Sequence, residues 1–366
     1  MIKIKDITNY LEQWAPLAYQ EAYDNSGLLL GDLNNLVNGI LICLDITEDI
    51  LKEAKEKNCN LIIAHHPIIF RPIKKLTGSN YVERCVIKAI KQDISIYILH
   101  TNLDNIAHGV NQSIAQQLDL KNCQILLPKP NTLQKLIAFL SHSTLNQVNK
   151  ALYQAGAIHI DNSKYDGFFT NITNTNYTSD ELINFSINSG HNQELVDRYK
   201  LEATFPAYLN KKIIDALQKA HSYERIVYQI QNLENPNLQV GAGMMGELSQ
   251  PLESRAFLSY LKEKMGLSSL RHSTCIEKNI KKVALCGGAG IFLLPAALSQ
   301  GADAFVTADV KYHDFFDADG RILLTDVGHY ESEIIIKGLI YSKLSKKFSN
   351  IAILQSAIQT NPVHYF

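Results

Sequence analysis

Five side chains with metal-ligating chemistry fall directly after apolar runs of the chain. His65 and His66 follow residues 61–64, Asp104 follows 95–99, and His329 and Glu333 follow 322–327. Each run reads as a buried strand. In open parallel sheets, ligands bind outside the carboxyl ends of the strands. Strand ends from both halves of the chain therefore bring imidazole and carboxylate groups to one edge. His329 and Glu333 are four apart at a helix start, so they share a helix face within reach of a common ion; Glu331 points elsewhere. His65 and His66 diverge in an extended chain, but a turn at Pro67 lets each serve a different ion. Three histidines and two carboxylates without cysteine suit zinc, manganese, iron or cobalt. The set suits two ions better than one, with Asp104 and Glu333 able to bridge a pair roughly 3.5–4 Å apart. Taken singly, the histidines read as structural or surface residues, and His329 with Glu333 as a capping ion pair; the joint placement is what favours a metal.

A second group follows other strand ends. Gly287, Gly288, Ala289 and Gly290 lie between a strand and a helix. They suit either a phosphate cradle at a helix N-terminus or a tight turn for close helix–sheet packing. They match neither a Walker motif nor the full dinucleotide fingerprint. Asp309, Lys311, Tyr312 and His313 follow 304–307 and suit ligand support, substrate contact or a general acid, against a solvated helix start. Asp24, Asn25 and His100 are lesser candidates, with turn and packing roles as the plainer reading. No GxSxG elbow or Cys–His pair supports covalent catalysis.

The elements that must position these groups alternate. Strands are expected at 39–45, 61–64 and 95–99, with helices at 46–58, 81–93 and 109–118. Asp45 and Glu48 suit the N-cap and N3 positions of the first helix. The last third repeats the rhythm, with strands at 283–286, 304–307, 322–327 and 351–355 and a long helix over 330–347. This implies an α/β fold with a mostly parallel sheet covered on both faces. The middle differs: strands at 135–140 and 225–231, a helix at 144–154, and an Asn/Ser/Thr-rich stretch at 161–193. The chain thus divides into a discontinuous α/β domain, 1–127 plus 235–366, and an inserted α+β domain, 128–234. Pro236 and three glycines make 234–250 a linker candidate.

The 366 residues are 46% hydrophobic and 19% charged, a globular composition. Lys plus Arg number 35 against 36 acids, which argues against a general nucleic-acid or membrane-surface binder. No apolar run approaches the roughly 18–20 residues of a membrane helix, and the N-terminus shows no secretory h-region. The six scattered cysteines, without a CxxC pair, read as reduced, mostly buried thiols of a cytoplasmic protein.

The stretches YDNSGLLLGD (23–32), AHHPIIF (64–70), HTNLDNIAHGVN (100–111), CGGAG (286–290), VTADVKYHDFFDA (306–318) and DVGHYESE (326–333) carry a resemblance. The chain resembles the NIF-three family of dinuclear-metal-centre proteins, often labelled GTP cyclohydrolase 1 type 2 homologs. The middle segment is similar to PII/CutA-type α+β domains through 135–157 and 220–230. Two features depart from the family pattern: Ala308 in place of a common glycine, and the Asn-rich part of the insert.

The resemblance implies a homohexameric toroid with metal sites facing an internal cavity. It also implies two divalent ions per chain, held by His65, His66, Asp104, His329 and Glu333. The function that follows is a metal-dependent hydrolase acting on a nucleotide or related heterocycle. For GTP ring opening, attack falls on the imidazole carbon of the purine, with His100 or His313 moving protons. The alternative is a metal-binding regulatory or metal-delivery protein without turnover, motivated by the PII-like insert. A nucleic-acid or phosphoester processing factor is a third reading, and the near-neutral charge counts against it.

Overall fold

Gly39–Cys43, Leu61–Ala64, Ser95–Ile98 and Ala352–Gln355 pair in parallel, and Gly27–Leu30 adds an antiparallel edge beside Ser95–Ile98. The first three of these strands are buried at every position, as expected for a sheet covered on both faces. Their residues alternate between two cores. Ile40, Ile42, Leu61 and Ile63 face one, and Leu41, Cys43, Ile62 and Ala64 the other. The second core is closed by helices Glu48–Glu56 and Tyr81–Lys91, through Ile50, Leu51 and Cys85. The N-cap of the first helix is Thr47, whose hydroxyl accepts the Ile50 N–H. Asp45, expected there, is instead bonded to His66 and Thr360.

This computed structural model describes residues 1–157, 168–171, 198–221 and 226–364. A second sheet runs in the order Arg271–His272, Leu323–Asp326, Ala304–Thr307, Ile280–Leu285, Gly241–Leu252 and Lys121–Pro128. Its Ile280–Leu285, Ala304–Thr307 and Leu323–Asp326 strands are parallel, and the others join antiparallel. Val283, Leu285, Ala304 and Val306 enter the same core as Ile40 and Ile63, together with Val110 and Ile114 of helix Val110–Gln117 and Ile336 and Ile340 of helix Ile336–Ser345. The α/β class holds, with mixed strand directions and the parallel strands shared between two sheets.

Two local expectations are corrected. The linker expected over 234–250 is largely the strand Gly241–Leu252, which lies inside the second sheet. Its glycines serve close approach rather than flexibility: a Cβ on Gly241 would sit 2.2 Å from the Leu127 carbonyl oxygen. The single helix expected over 330–347 is two, His329–Glu333 and Ile336–Ser345, separated by a turn at Ile334 and Ile335.

The chain forms two compact units, Met1–Lys129 with Leu238–Phe366, and Pro130–Asn237. The latter holds an antiparallel sheet in the order Phe168–Asn171, Arg198–Pro206, Leu133–Ser141 and Tyr228–Asn232. Helices Leu145–Ala155 and Asn210–Ala220 supply Val148, Leu152, Ile213 and Leu217 to its core. Apart from 168–171, the Asn/Ser/Thr-rich stretch 161–193 lies outside the described residues. Among the described residues, no helix is long and apolar enough to cross a membrane.

Candidate metal centre

The chain turns where Leu61–Ala64 ends. Both the His65 and the His66 N–H point to the Leu44 carbonyl, at 3.2 and 3.0 Å. This turn keeps the two rings together, 5.0 Å apart, rather than on opposite faces. Asp104 closes the short helix Thr101–Asp104 after Ser95–Ile98, and Asn111 holds its backbone carbonyl. His329 and Glu333 bound the short helix after Leu323–Asp326. Three strand ends thus deliver His65, His66, Asp104, His329 and Glu333 to one place.

Each histidine of the cluster has its Nδ1 held from behind. His65 Nδ1 donates to the Leu99 carbonyl at 2.6 Å. His66 Nδ1 lies 2.7 Å from Asp45, His100 Nδ1 2.7 Å from Asp24, and His329 Nδ1 2.7 Å from Asp309. A carbonyl or carboxylate accepts only, so the proton on Nδ1 is fixed and Nε2 is the ring atom left to hold either a second proton or a cation. Asp24 is itself held by the Thr101 N–H and hydroxyl, the Ser26 hydroxyl and the Asn25 N–H. Although burial opposes its charge, these bonds and His100 hold its carboxyl well below the usual range.

Glu333 stands between two donor sets. Its Oε2 lies 2.9 Å from His66 Nε2 and 3.1 Å from His329 Nε2. Its Oε1 is 3.7 Å from His65 Nε2, which in turn lies 3.8 Å from Asp104 Oδ1. His65 Nε2 and Asp104 Oδ1 are both buried without a hydrogen-bond partner. His66 Nε2 and His329 Nε2 face each other at 3.2 Å. Such orphaned and closely opposed ligand atoms fit a cation's donor set, a bound cation taking the place of the ring protons. Groups able to bind a metal ion are formed by His66, His329 and Glu333, and by His65, His66 and His100.

The charges follow from these contacts. Burial pushes the His65 imidazolium down to about 4, against the pull of Glu333. Burial also opposes a charge on His66, but the Asp45 and Glu333 carboxylates outweigh it and raise His66 to about 9. Asp309 and Glu333 likewise overcome burial at His329 and raise it to about 11. Burial and the neighbouring Glu333 push the Asp104 carboxyl well up. Glu333 resists its own burial through the surrounding histidines and stays well below the ordinary range.

The glycine loop packs against this centre. The Gly287, Gly288 and Gly290 amides donate to Asn111, Ser332 and Thr307. These amides are consumed internally, so the geometry favours close packing over a phosphate cradle. A Cβ on Gly288 would lie 2.3 Å from Glu333 Oε1. His100, considered for proton transfer, is in the cluster, its ring 5.1 Å from that of His65. His313, considered for the same role, is exposed and stacks only against Tyr312 and Phe316 among the described rings. Sequence reasoning missed the part played by Asp45 and underrated Asp24. Asp45 also follows a strand end, the signal that selected the other five, but a capping reading absorbed it.

The family described as Duf34/NIF3 (NGG1p interacting factor 3) matches residues 2–362. A protein of Halalkalibacterium halodurans named GTP cyclohydrolase 1 type 2 homolog is 35% identical over 97% of this chain and 97% of its own. The protein of the same name from Bacillus subtilis is 33% identical over 98% and 97%. The crystal structure of a Bacillus cereus protein related to NIF3 superposes with a TM-score of 0.84 at 31% identity, covering 100% of this chain and 99% of that one. With the match spanning nearly every residue, the chain belongs to the Duf34/NIF3 family.

Proposed function

We propose that this protein is a divalent-metal-dependent hydrolase with two ions per chain, acting on a nucleotide or related heterocycle. The observation that carries the reading is the two-sided environment of Glu333. One carboxylate oxygen faces His66 and His329, and the other faces the orphaned His65 Nε2 and Asp104 Oδ1. Leaving each orphaned atom buried costs roughly 1–3 kcal/mol, a cost that a cation on that side removes. When bound, such a pair supplies Lewis acidity and an activated water. The chain's own part is orientation: Leu99, Asp45 and Asp309 aim the ring nitrogens inward, and the Gly287–Gly290 turn seats Glu333. His100, held by Asp24 with its Nε2 turned to the cluster, is the residue placed to accept or return a proton. The relatives' name makes GTP the first substrate to assay.

The reading extends to assembly and to the insert. The family resemblance supports a hexamer around a cavity. The antiparallel sheet with two helices in Pro130–Asn237 supports a PII/CutA-like domain that senses a ligand. That domain also favours the second reading, a metal-binding regulatory protein without turnover.

Metal analysis of protein purified without chelator should find about two equivalents per chain, lost in His65→Ala/His329→Ala. The folded variant should also lose turnover. Little metal after reloading with zinc, manganese or iron would overturn the dinuclear reading. Full metal without turnover on GTP, other nucleotides or related heterocycles would favour the regulatory one. Light scattering should give six times the 41.1 kDa chain mass; a monomer would overturn the toroid.

A further inference from the structure

Directly after His66 the chain leaves the sheet and runs through 67–80 to the helix Tyr81–Lys91. This loop and the first helical turn wall a cleft of about 500 Å³, within the size range of small-molecule sites. Its lining combines two exposed rings, Phe70 and Tyr81, with three cations, Arg71, Lys74 and Lys75. Among the described residues, no hydrogen bond or ion pair engages any of the three cations.

Glu83 is the one acid in the lining, and its oxygens are committed to structure. It accepts from the Thr77 N–H and hydroxyl at 2.8 Å each, the Ser79 N–H at 3.1 Å, the Ser79 hydroxyl at 3.0 Å and the Asn80 amide at 2.9 Å. These bonds pin the far end of the loop to the helix start, giving the cleft a fixed wall and leaving the cations as its available charge. The cleft also adjoins the metal centre. Its lining begins at Pro67, the residue directly after His66, and the Phe70 ring is 6.4 Å from that of His100.

We propose that this cleft is the anion subsite of the centre: Arg71, Lys74 and Lys75 hold the phosphoryl groups of a phosphorylated small molecule, Phe70 and Tyr81 flank it, and its reacting end reaches His66. The proposal rests on the catalytic reading of the centre. Three cations within five residues suit a multiply charged group, and the arginine fork matches phosphate oxygens. The bounded volume and a net charge of -1 fit a small molecule better than a polymer, which would need an extended basic face.

The test is calorimetric binding of inorganic pyrophosphate, and separately of GTP, to full-length protein in chelator, so that no metal bridges the probe. Wild type should bind both. Arg71→Ala/Lys74→Ala/Lys75→Ala should bind about tenfold more weakly for each cation that contacts a phosphate oxygen. Lys343→Ala/Lys347→Ala, whose cations lie over Tyr10 and Trp14, should bind as wild type does. No binding by wild type, equal binding by the triple variant, equal loss in the Lys343/Lys347 control, or binding of oligonucleotides alone would overturn the subsite. The two readings fail separately. Probe binding as expected without turnover by metal-loaded protein defeats the catalytic reading. Turnover of a phosphorylated substrate with KM unmoved in the triple variant defeats the subsite.

Discussion

Asp309 has a left-handed backbone, with φ at +54°, a conformation Asp tolerates better than most residues. The carboxylate so placed binds His329 Nδ1. In metal-free protein this bond, with Glu333, keeps His329 charged up to about pH 11. The folded value is raised above the ordinary one. Its stabilisation is therefore present below about pH 6.5 and is lost as pH rises toward the folded value. The thermal midpoint of metal-free wild type should exceed that of Asp309→Asn near neutrality, and the gap should close as pH rises toward the folded value of about 11. A gap that stays constant across that range would show that Asp309 acts without the His329 charge. Asp45 plays the same part for His66 and is itself held by the Thr360 hydroxyl, so Thr360 bears on a ring almost three hundred positions earlier.

At the scale of elements, the glycine turn after Ile280–Leu285 is where sheet and centre meet. Gly288 combines φ +61° with the tight contact to Glu333. Gly288→Ala should cost about 1–3 kcal/mol in backbone strain and push Glu333 off its position between the two donor sets. Denaturant midpoints should fall, and bound metal should drop from the stoichiometry of wild type. A variant that keeps full metal would show that Glu333 tolerates displacement. The same geometry explains why the turn suits no phosphate here: its amides already serve Asn111, Ser332 and Thr307.

For the whole molecule, the informative feature is where Pro130–Asn237 leaves and rejoins the chain. Lys121–Pro128 and Gly241–Leu252 are antiparallel neighbours, with Pro128 opposite Gly241 and the Lys129 N–H on the Val240 carbonyl. The two ends of the discontinuous unit therefore already form the stem of a hairpin. Excising Pro130–Asn237 and joining the ends with a short turn should leave a cooperatively folding protein with the metal content of the full chain. Unfolding, or loss of metal, would mean that the centre depends on the excised unit.

The alternation of apolar runs with helical spacing was legible over 39–118 and 283–355, because burial of a strand or one helix face leaves a local period in the chain, whereas Ile4–Trp14, Gly27–Leu30, Lys121–Pro128 and Ser254–Met265 went unread. The placement of His65, His66, Asp104, His329 and Glu333 after strands was legible too. The glycines of 241–246 misled, since close backbone packing and flexibility call for the same residue, and only the neighbouring strand distinguishes them. Local pattern could not assign the carboxylates behind the rings either: Asp24 meets His100 across 76 positions and Asp45 meets His66 across 21. Sequence by itself determined which side chains were available at the strand ends. Which of them meet, and which carbonyl or carboxylate holds each Nδ1, was decided by the tertiary structure, because such contacts depend on how sheets and loops pack and leave no period along the chain.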